Sequence, residues 1–421
     1  MSEQTATQEP AQRPQPPALR ENRDFRLLWA GAGISFIGSR ISVIAYPMLV
    51  LAHTGSAGDA GVVAFCANLP YVLQLLAGGV IDRLDRRRLM MACDIGRLAA
   101  IGSLVAALLT GHFWLAHVAA VAFVESGLTI LYRISERAAV RHLVRPEDLS
   151  RALSRNEARE RAAGLLGQPV GSLLFGLVRW APFLCTALSN VVSLFTLLVI
   201  KRKFGAERAS KPSGGFKGFF TELRAGLVWA WSQPFVRVLA GLIAGTNMLF
   251  AGLSLALQYI VREGGGSDGE VGFTIGLIFA LSGVGGTLGA LTASWWMRKV
   301  SLPTVVIGCN VAWALLMPQV AYVRDTVALG ALFAGMGYAG ALWNVAAAVY
   351  QQKVTPDEMQ GRLLSVATLV AYGTVPLGAL AGGFLLDHFG ATWTVLGLGG
   401  AMCLLALTAV ASPSVRRLNL S

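Results

Sequence analysis

Four charged residues stand inside long apolar runs of this 421-residue chain: Arg40, Asp94, Arg97 and Glu125. A charge at membrane depth costs several kcal/mol, so each is a functional candidate by default. Glu125 is the most promising for chemistry. It lies twelve residues into the run 113–135, roughly 18 Å from one end at about 1.5 Å per helical residue, near a bilayer midplane. Desolvation there penalises the charged form, so such a carboxyl can take up and release a proton. Arg40, midway along the first run, is its candidate partner. The pair reads equally as proton coupling or as a static ion pair that orders the helices. Asp94 and Arg97 are three apart, neighbours on one helix face, and read as a structural pair. Tyr46, Trp343, Asn247 and Asn344 are the aromatic and amide candidates for a substrate cavity. Glu136, with Arg133, Arg137 and the run from Arg155 to Arg161, reads as a solvated helix with surface ion pairs.

Other chemistries find no residues to carry them. Cys66, Cys93, Cys185, Cys309 and Cys403 each stand alone in apolar sequence, without disulfide or metal spacing. The five histidines are scattered. There is no Gly-x-x-x-x-Gly-Lys-[Ser/Thr] loop to bind ATP, and no Ser/His/Asp set or acid pair at catalytic spacing. The chain is therefore read as neither an enzyme nor a cofactor protein, with no metal site.

What must position these residues follows from composition. Apolar residues make up 54% and charged residues 14%, with 48 glycines and a mean hydropathy of +0.58. Soluble domains carry about 25% charged residues. A chain of this length cannot cover a water-facing exterior with so few polar groups, so the bilayer is its solvent. Twelve runs are long enough to cross: 26–51, 60–81, 88–110, 113–135, 160–178, 182–200, 234–260, 270–296, 302–322, 326–349, 361–386 and 391–411. The glycines within them suit closely approaching membrane helices. The net charge of +12 does not indicate nucleic-acid binding, because the basic residues fall between apolar blocks. Most of the 35 Lys and Arg lie in the N-terminal segment, the even-numbered connections and the C-terminal segment; the opposite connections hold Arg179, Arg262 and Arg324. The positive-inside rule then places both termini in the cytoplasm.

The chain also repeats itself. Leu143-Val144-Arg145-Pro146-Glu147-Asp148-Leu149 returns 210 residues later as Lys353-Val354-Thr355-Pro356-Asp357-Glu358-Met359, each between the fourth and fifth span of its half. Pro followed by acids suits a helix start. The expected organisation is a disordered cytoplasmic tail at 1–24, a six-helix bundle at 25–200, a basic linker at 201–222, a second bundle at 223–411 and a tail at 412–421. Parallel repeats of this kind build secondary transporters.

After the second span comes Gly78-Gly79-Val80-Ile81-Asp82-Arg83-Leu84-Asp85-Arg86-Arg87-Arg88. It resembles the loop motif of the major facilitator superfamily: Gly, three residues, Asp-Arg, one residue, Gly-Arg-Arg. Gly78, Asp82, Arg83, Arg86 and Arg87 match, while Asp85 stands where the family usually has Gly. The resemblance covers residues 25–411. It implies an all-α membrane protein of twelve transmembrane helices in two pseudo-symmetric six-helix bundles. It also implies a conformational latch, with Gly78 close-packed and Asp82 meeting a helix N-terminus such as the one opening near Gly361. Gly164, Gly167, Pro169 and Gly171 resemble a degraded form of the family's antiporter motif, interrupted by Gln168. Val144 to Leu149, Gly361 to Ser365 and Pro376 to Gly390 resemble the bacterial drug and siderophore exporters.

These observations point to a bacterial plasma-membrane protein, a monomer that exports a hydrophobic or amphipathic small molecule in exchange for protons. A siderophore or nutrient transporter of the same fold, and a non-transporting sensor or lipid-handling protein, are the alternatives.

Overall fold

The computed structural model describes residues 17–81, 85–200, 234–354 and 369–416. Asp82, Arg83, the linker 201–222, residues 361–365, the second copy of the repeat beyond Val354, and most of the two tails lie outside the described residues. The helices in chain order are α1 (Arg23–Thr54), α2 (Ala57–Ile81), α3 (Arg86–Leu109), α4 (Leu115–Leu143), α5 (Leu149–Leu177) and α6 (Ala181–Val199). They continue as α7 (Pro234–Glu263), α8 (Asp268–Lys299), α9 (Leu302–Leu316), α10 (Thr326–Val354) and α11 (Val375–Ala411). Among the described residues, nine helical stretches are long and apolar enough to cross a membrane. One of them, Leu369–Ala411, is 43 residues long. It breaks at Gly390, whose φ of 72° and ψ of 174° leave the helix, so it makes two crossings. Adding α2 and α5 gives twelve crossings among the described residues.

Local chemistry explains the ends. Asn22 accepts the Phe25 amide at the start of α1, and Gly55 closes that helix in the left-handed conformation. Asp85, where the family usually has Gly, adopts an extended φ of −63° and caps α3, its Oδ1 accepting the Arg87 and Arg88 amides at 3.0 Å. The turn needs no glycine there, because the carboxylate supplies acceptors for two orphan amides. Ser267 and Glu270 form a reciprocal capping box at α8. The short helical turn Pro146–Asp148 leads into α5. That helix begins eleven residues before the expected span at 160, because its charged first half is helical too.

The halves repeat in three dimensions. Gly167 and Gly171 of α5 lie against α1, where a Cβ on Gly171 would sit 2.7 Å from the Ile41 carbonyl oxygen. Gly378 and Gly382 of α11 lie in the same way against α7, where a Cβ on Gly382 would sit 2.7 Å from the Gly252 Cα. The offset of 211 is one residue longer than that of the sequence repeat. Helices α8 and α10 pack as α2 and α4 do. Between the halves there are two main seams, α5 with α8 and α2 with α11. Counting round the twelve crossings, adding six to each member of one seam gives the other, as a pseudo-twofold requires. The starts of α2 and α8 and the ends of α5 and of the first arm of α11 share one face of the bundle, opposite the start of α1; we call it the far face.

Candidate functional site

Glu125, on α4, is buried inside the first half, 1% exposed. The Ser42 hydroxyl donates to its Oε1 at 2.6 Å, and the Tyr46 hydroxyl donates to its Oε2 at 2.6 Å. Ser42 and Tyr46 are four apart on α1 and so share a face. Tyr46 is itself fully buried and tilts against Phe183 at 5.1 Å, so it serves the carboxyl and, among the described residues, lines no cavity. The expected Glu125–Arg40 pair is not made. Arg40 is two residues from Ser42, about 200° around the helix, and turns toward α5, where Gly167 abuts it. It borders a small crevice with Tyr71, Arg133 and Glu160.

Asp94 and Arg97 do pair, through Oδ1 and Nη2, and neither side chain is exposed at all. The pair sits in a wider network. Ser193 donates to Asp94 Oδ2 at 2.8 Å and lies 3.0 Å from the Tyr132 hydroxyl. Arg97 Nη1 donates to Thr129 Oγ1 at 3.3 Å, one turn beyond Glu125 on α4. The guanidinium also stands 5.0 Å from the Tyr132 ring centroid. Asp94 and Arg97 cancel each other's charge, so among the described residues an ionised Glu125 has no cation of its own.

Glu136 is not solvated as its sequence context suggests. It is wholly buried, and Arg159 grips both of its oxygens at 2.9 and 3.0 Å. Arg159 also donates to the Trp29 carbonyl at 3.0 Å, and Asn156 to Glu136 Oε1 at 3.2 Å. Helices α4 and α5 extend past the expected spans and bring these residues together with α1. Arg137 makes the ion pairs expected, with the exposed Glu157 and the half-buried Glu160.

The second half carries a cavity of about 830 Å³, within the range that holds drug-sized molecules. Trp343, Asn247 and Asn344 all line it, as their residue types suggested. Phe250, Phe279, Trp313, Phe333 and Tyr372 complete an aromatic wall, with Ser254 and Ser282 beside them. Asn247 donates to the Ala371 carbonyl at 2.6 Å, whereas Asn344 is exposed to the cavity. Gln168 of α5, the residue that interrupts the Gly-Pro motif, reaches in from the other half. No charged side chain lines the cavity among the described residues. Tyr372 stacks on Tyr71 of α2, centroids 5.8 Å apart, and closes the wall toward the first half.

Of the latch candidates, Gly78 lies within α2, while Asp82 and Arg83 fall outside the described residues. Arg87 ties the start of α3 to the end of α6, donating to the Leu197 and Leu198 carbonyls at 3.0 and 3.1 Å. Arg86 donates to the Ala138 carbonyl at 3.5 Å. Both contacts stay within the first half. Ser42, Thr129, Tyr132 and Ser193 are the functional neighbours that charge-based reading misses. The spacing of Ser39, Ser42 and Tyr46, one polar stripe in an apolar run, is the signal that marks three of the polar residues around Glu125 and Arg97.

A model of the Major Facilitator Superfamily matches residues 28–372. The chain is similar to the multidrug efflux pump Tap of Mycolicibacterium fortuitum, 28% identical, over 94% of this chain and 96% of that one. It is also similar to macrolide efflux protein A of Streptococcus pyogenes, 24% identical, over 94% and 97%. Among solved structures, the nucleoside transporter NupG superposes with a TM-score of 0.74 at 16% identity, covering 94% of this chain and all of that one. At that identity the likeness is one of fold.

Proposed function

The chain belongs to the major facilitator superfamily, and from that premise we propose that it exports amphipathic small molecules by alternating access, driven by proton uptake at Glu125. The observation that carries this reading is the division of labour between the halves. One half holds an aromatic cavity free of charge among its described residues. The other holds a buried carboxyl with hydroxyl partners and, among the described residues, no cation of its own. The cargo cavity suits a molecule with a broad apolar face and a few hydrogen-bonding groups, read by Asn344, Gln168 and Ser282. The efflux names of the relatives support an outward direction. The basic-residue pattern supports a plasma-membrane protein with cytoplasmic termini, placing the far face outside.

Proton uptake fits the hydrogen-bond geometry. Ser42 Oγ lies 2.6 Å from Glu125 Oε1 and 3.1 Å from the Ser39 carbonyl. With Glu125 ionised, the hydroxyl donates to the carboxylate. With Glu125 protonated, the hydroxyl can turn to the Ser39 carbonyl and accept the new O–H. Both states are hydrogen-bonded without any heavy atom moving, so neither leaves an orphaned polar group. Losing the proton then places one net negative charge in the first half, which favours a conformation that hydrates it.

The test uses purified protein in proteoliposomes with a macrolide and an imposed pH gradient. The expected result is macrolide accumulation driven by the gradient. Glu125→Gln should abolish that accumulation while macrolide binding, read from quenching of the cavity tryptophans, persists. Accumulation by Glu125→Gln with unchanged pH dependence would overturn the proton assignment.

A further inference from the structure

Both seams between the halves are fastened at the far face, and by different chemistry at equivalent places. On one seam Asp387, at the end of the first arm of α11, reaches the start of α2. Its Oδ1 accepts the Ala57 amide at 2.7 Å, and its Oδ2 accepts the Gly58 amide and the Ser56 hydroxyl, each at 2.8 Å. Ser56 Oγ meanwhile accepts the Asp59 amide at 3.0 Å, and the Ala60 amide bonds the Ser56 carbonyl. All four opening amides of α2 are therefore satisfied, two of them only by the other half of the molecule. The carboxylate also faces the positive end of the helix dipole. Among the described residues it makes no ion pair.

The other seam has an ionic fastening. Asp268, first residue of α8, accepts Arg179 Nε from just beyond α5 and Arg262 Nη1 from α7, both at 2.6 Å. Beneath each fastening the backbones touch. A Cβ on Gly383 would lie 2.4 Å from the Ala57 carbonyl oxygen of α2, and one on Gly272 would lie 2.4 Å from the Ser172 carbonyl oxygen of α5. Toward the opposite face the contact loosens: a Cβ on Gly283 of α8 would lie 3.4 Å from the Leu165 side chain and 3.9 Å from its carbonyl oxygen, and Gly164 of α5 has nothing within 4 Å.

We propose that Asp387 is a gating residue, and that its cap on α2 and the Arg179–Asp268–Arg262 cluster form one far-face gate that must release for the cavity to open on that side. The inference rests on the alternating-access reading but not on the cargo or on Glu125. The two fastenings act together because each half moves as a packed body: separating α2 from α11 at the far face also separates α5 from α8. Opening then costs α2 two amide acceptors, which water replaces, and costs Asp268 its interhalf cation.

Hydrogen–deuterium exchange of the full chain in nanodiscs, without cargo, tests this at both seams in one measurement. Asp387→Asn should shift the closed-to-open balance by about five- to tenfold, the size of one helix-cap contact. Uptake should rise in peptides covering 56–61 and, because the gate is shared, also in peptides covering 172–180 and 267–273, which Asp387 does not touch. Arg179→Gln should do the reverse, raising uptake at 56–61. A merely local cap would raise uptake at 56–61 alone in Asp387→Asn, and that outcome, or no change at either seam, overturns the proposal. Should Asp387→Asn fail to fold, Ser56→Ala together with Arg179→Gln decides the question by the same two readouts. Loss of flux in Glu125→Gln does not bear on whether the two seams respond together to Asp387→Asn, so this proposal and the proton assignment stand or fall separately.

Discussion

Replacing Asp94 by Asn isolates the electrostatic part of the buried network, because the amide is nearly isosteric and can still accept a hydrogen bond from Arg97. Arg97 has no exposed surface, and Asp94 is the anion it pairs with among the described residues. Its remaining contacts are neutral: Ser39 Oγ at 3.5 Å, Thr129 Oγ1 at 3.3 Å and the Tyr132 ring. Its Nε has no partner among the described residues. Removing one member of a buried pair typically costs about 3–5 kcal/mol, because a charge is left uncompensated. Two weak hydroxyl contacts and a ring face can offset about 1–2 kcal/mol of that. The expected destabilisation is therefore about 1–4 kcal/mol, measured as unfolding in mixed SDS–detergent micelles. Arg97→Met in the Asp94→Asn background removes the stranded charge and should recover at least half of the loss. A cost under about 1 kcal/mol, or single-variant costs that simply add in the double variant, would refute the reasoning.

Three further substitutions probe packing and polar satisfaction. A Cβ on Gly285 would lie 2.0 Å from the Ala334 carbonyl oxygen of α10, whereas Gly308 has open space around it. Gly285→Ala should cost about 2–3 kcal/mol by forcing α8 from α10, and Gly308→Ala should gain up to about 1 kcal/mol from helix propensity, in the same unfolding assay. Thr246 Oγ1 is buried without a hydrogen-bond partner among the described residues. Thr246→Val should therefore stabilise the protein by about 1 kcal/mol, and destabilisation would reveal a partner for that hydroxyl.

Particular residues show how far a linear reading reaches. Trp343, Asn247 and Asn344 were identifiable as cavity residues because polar and large aromatic side chains are conspicuous in apolar runs. Asp94 and Arg97 were identifiable as a pair because their spacing of three fixes them on one helix face. Arg40 is not the partner of Glu125 that its position in the sequence suggests, because depth in the bilayer can be counted along a helix, but rotation about its axis relative to a neighbour cannot. Glu136 looks solvated in the sequence because charge-rich sequence looks alike whether it faces water or a helix seam. Asp387 went unnoticed: it stands in a Gly-rich apolar stretch, and its partner Ser56 is 331 residues away.

By itself the sequence determined the solvent, the number of crossings and the duplication, since these depend on composition, on run length against bilayer thickness and on self-similarity along one dimension. Tertiary structure alone decided which helix faces meet: Ser42 and Tyr46 on Glu125, Arg159 on Glu136, Asp387 on the start of α2. Those meetings depend on helix rotation and on close backbone contacts between segments far apart in the chain, and no local pattern encodes either.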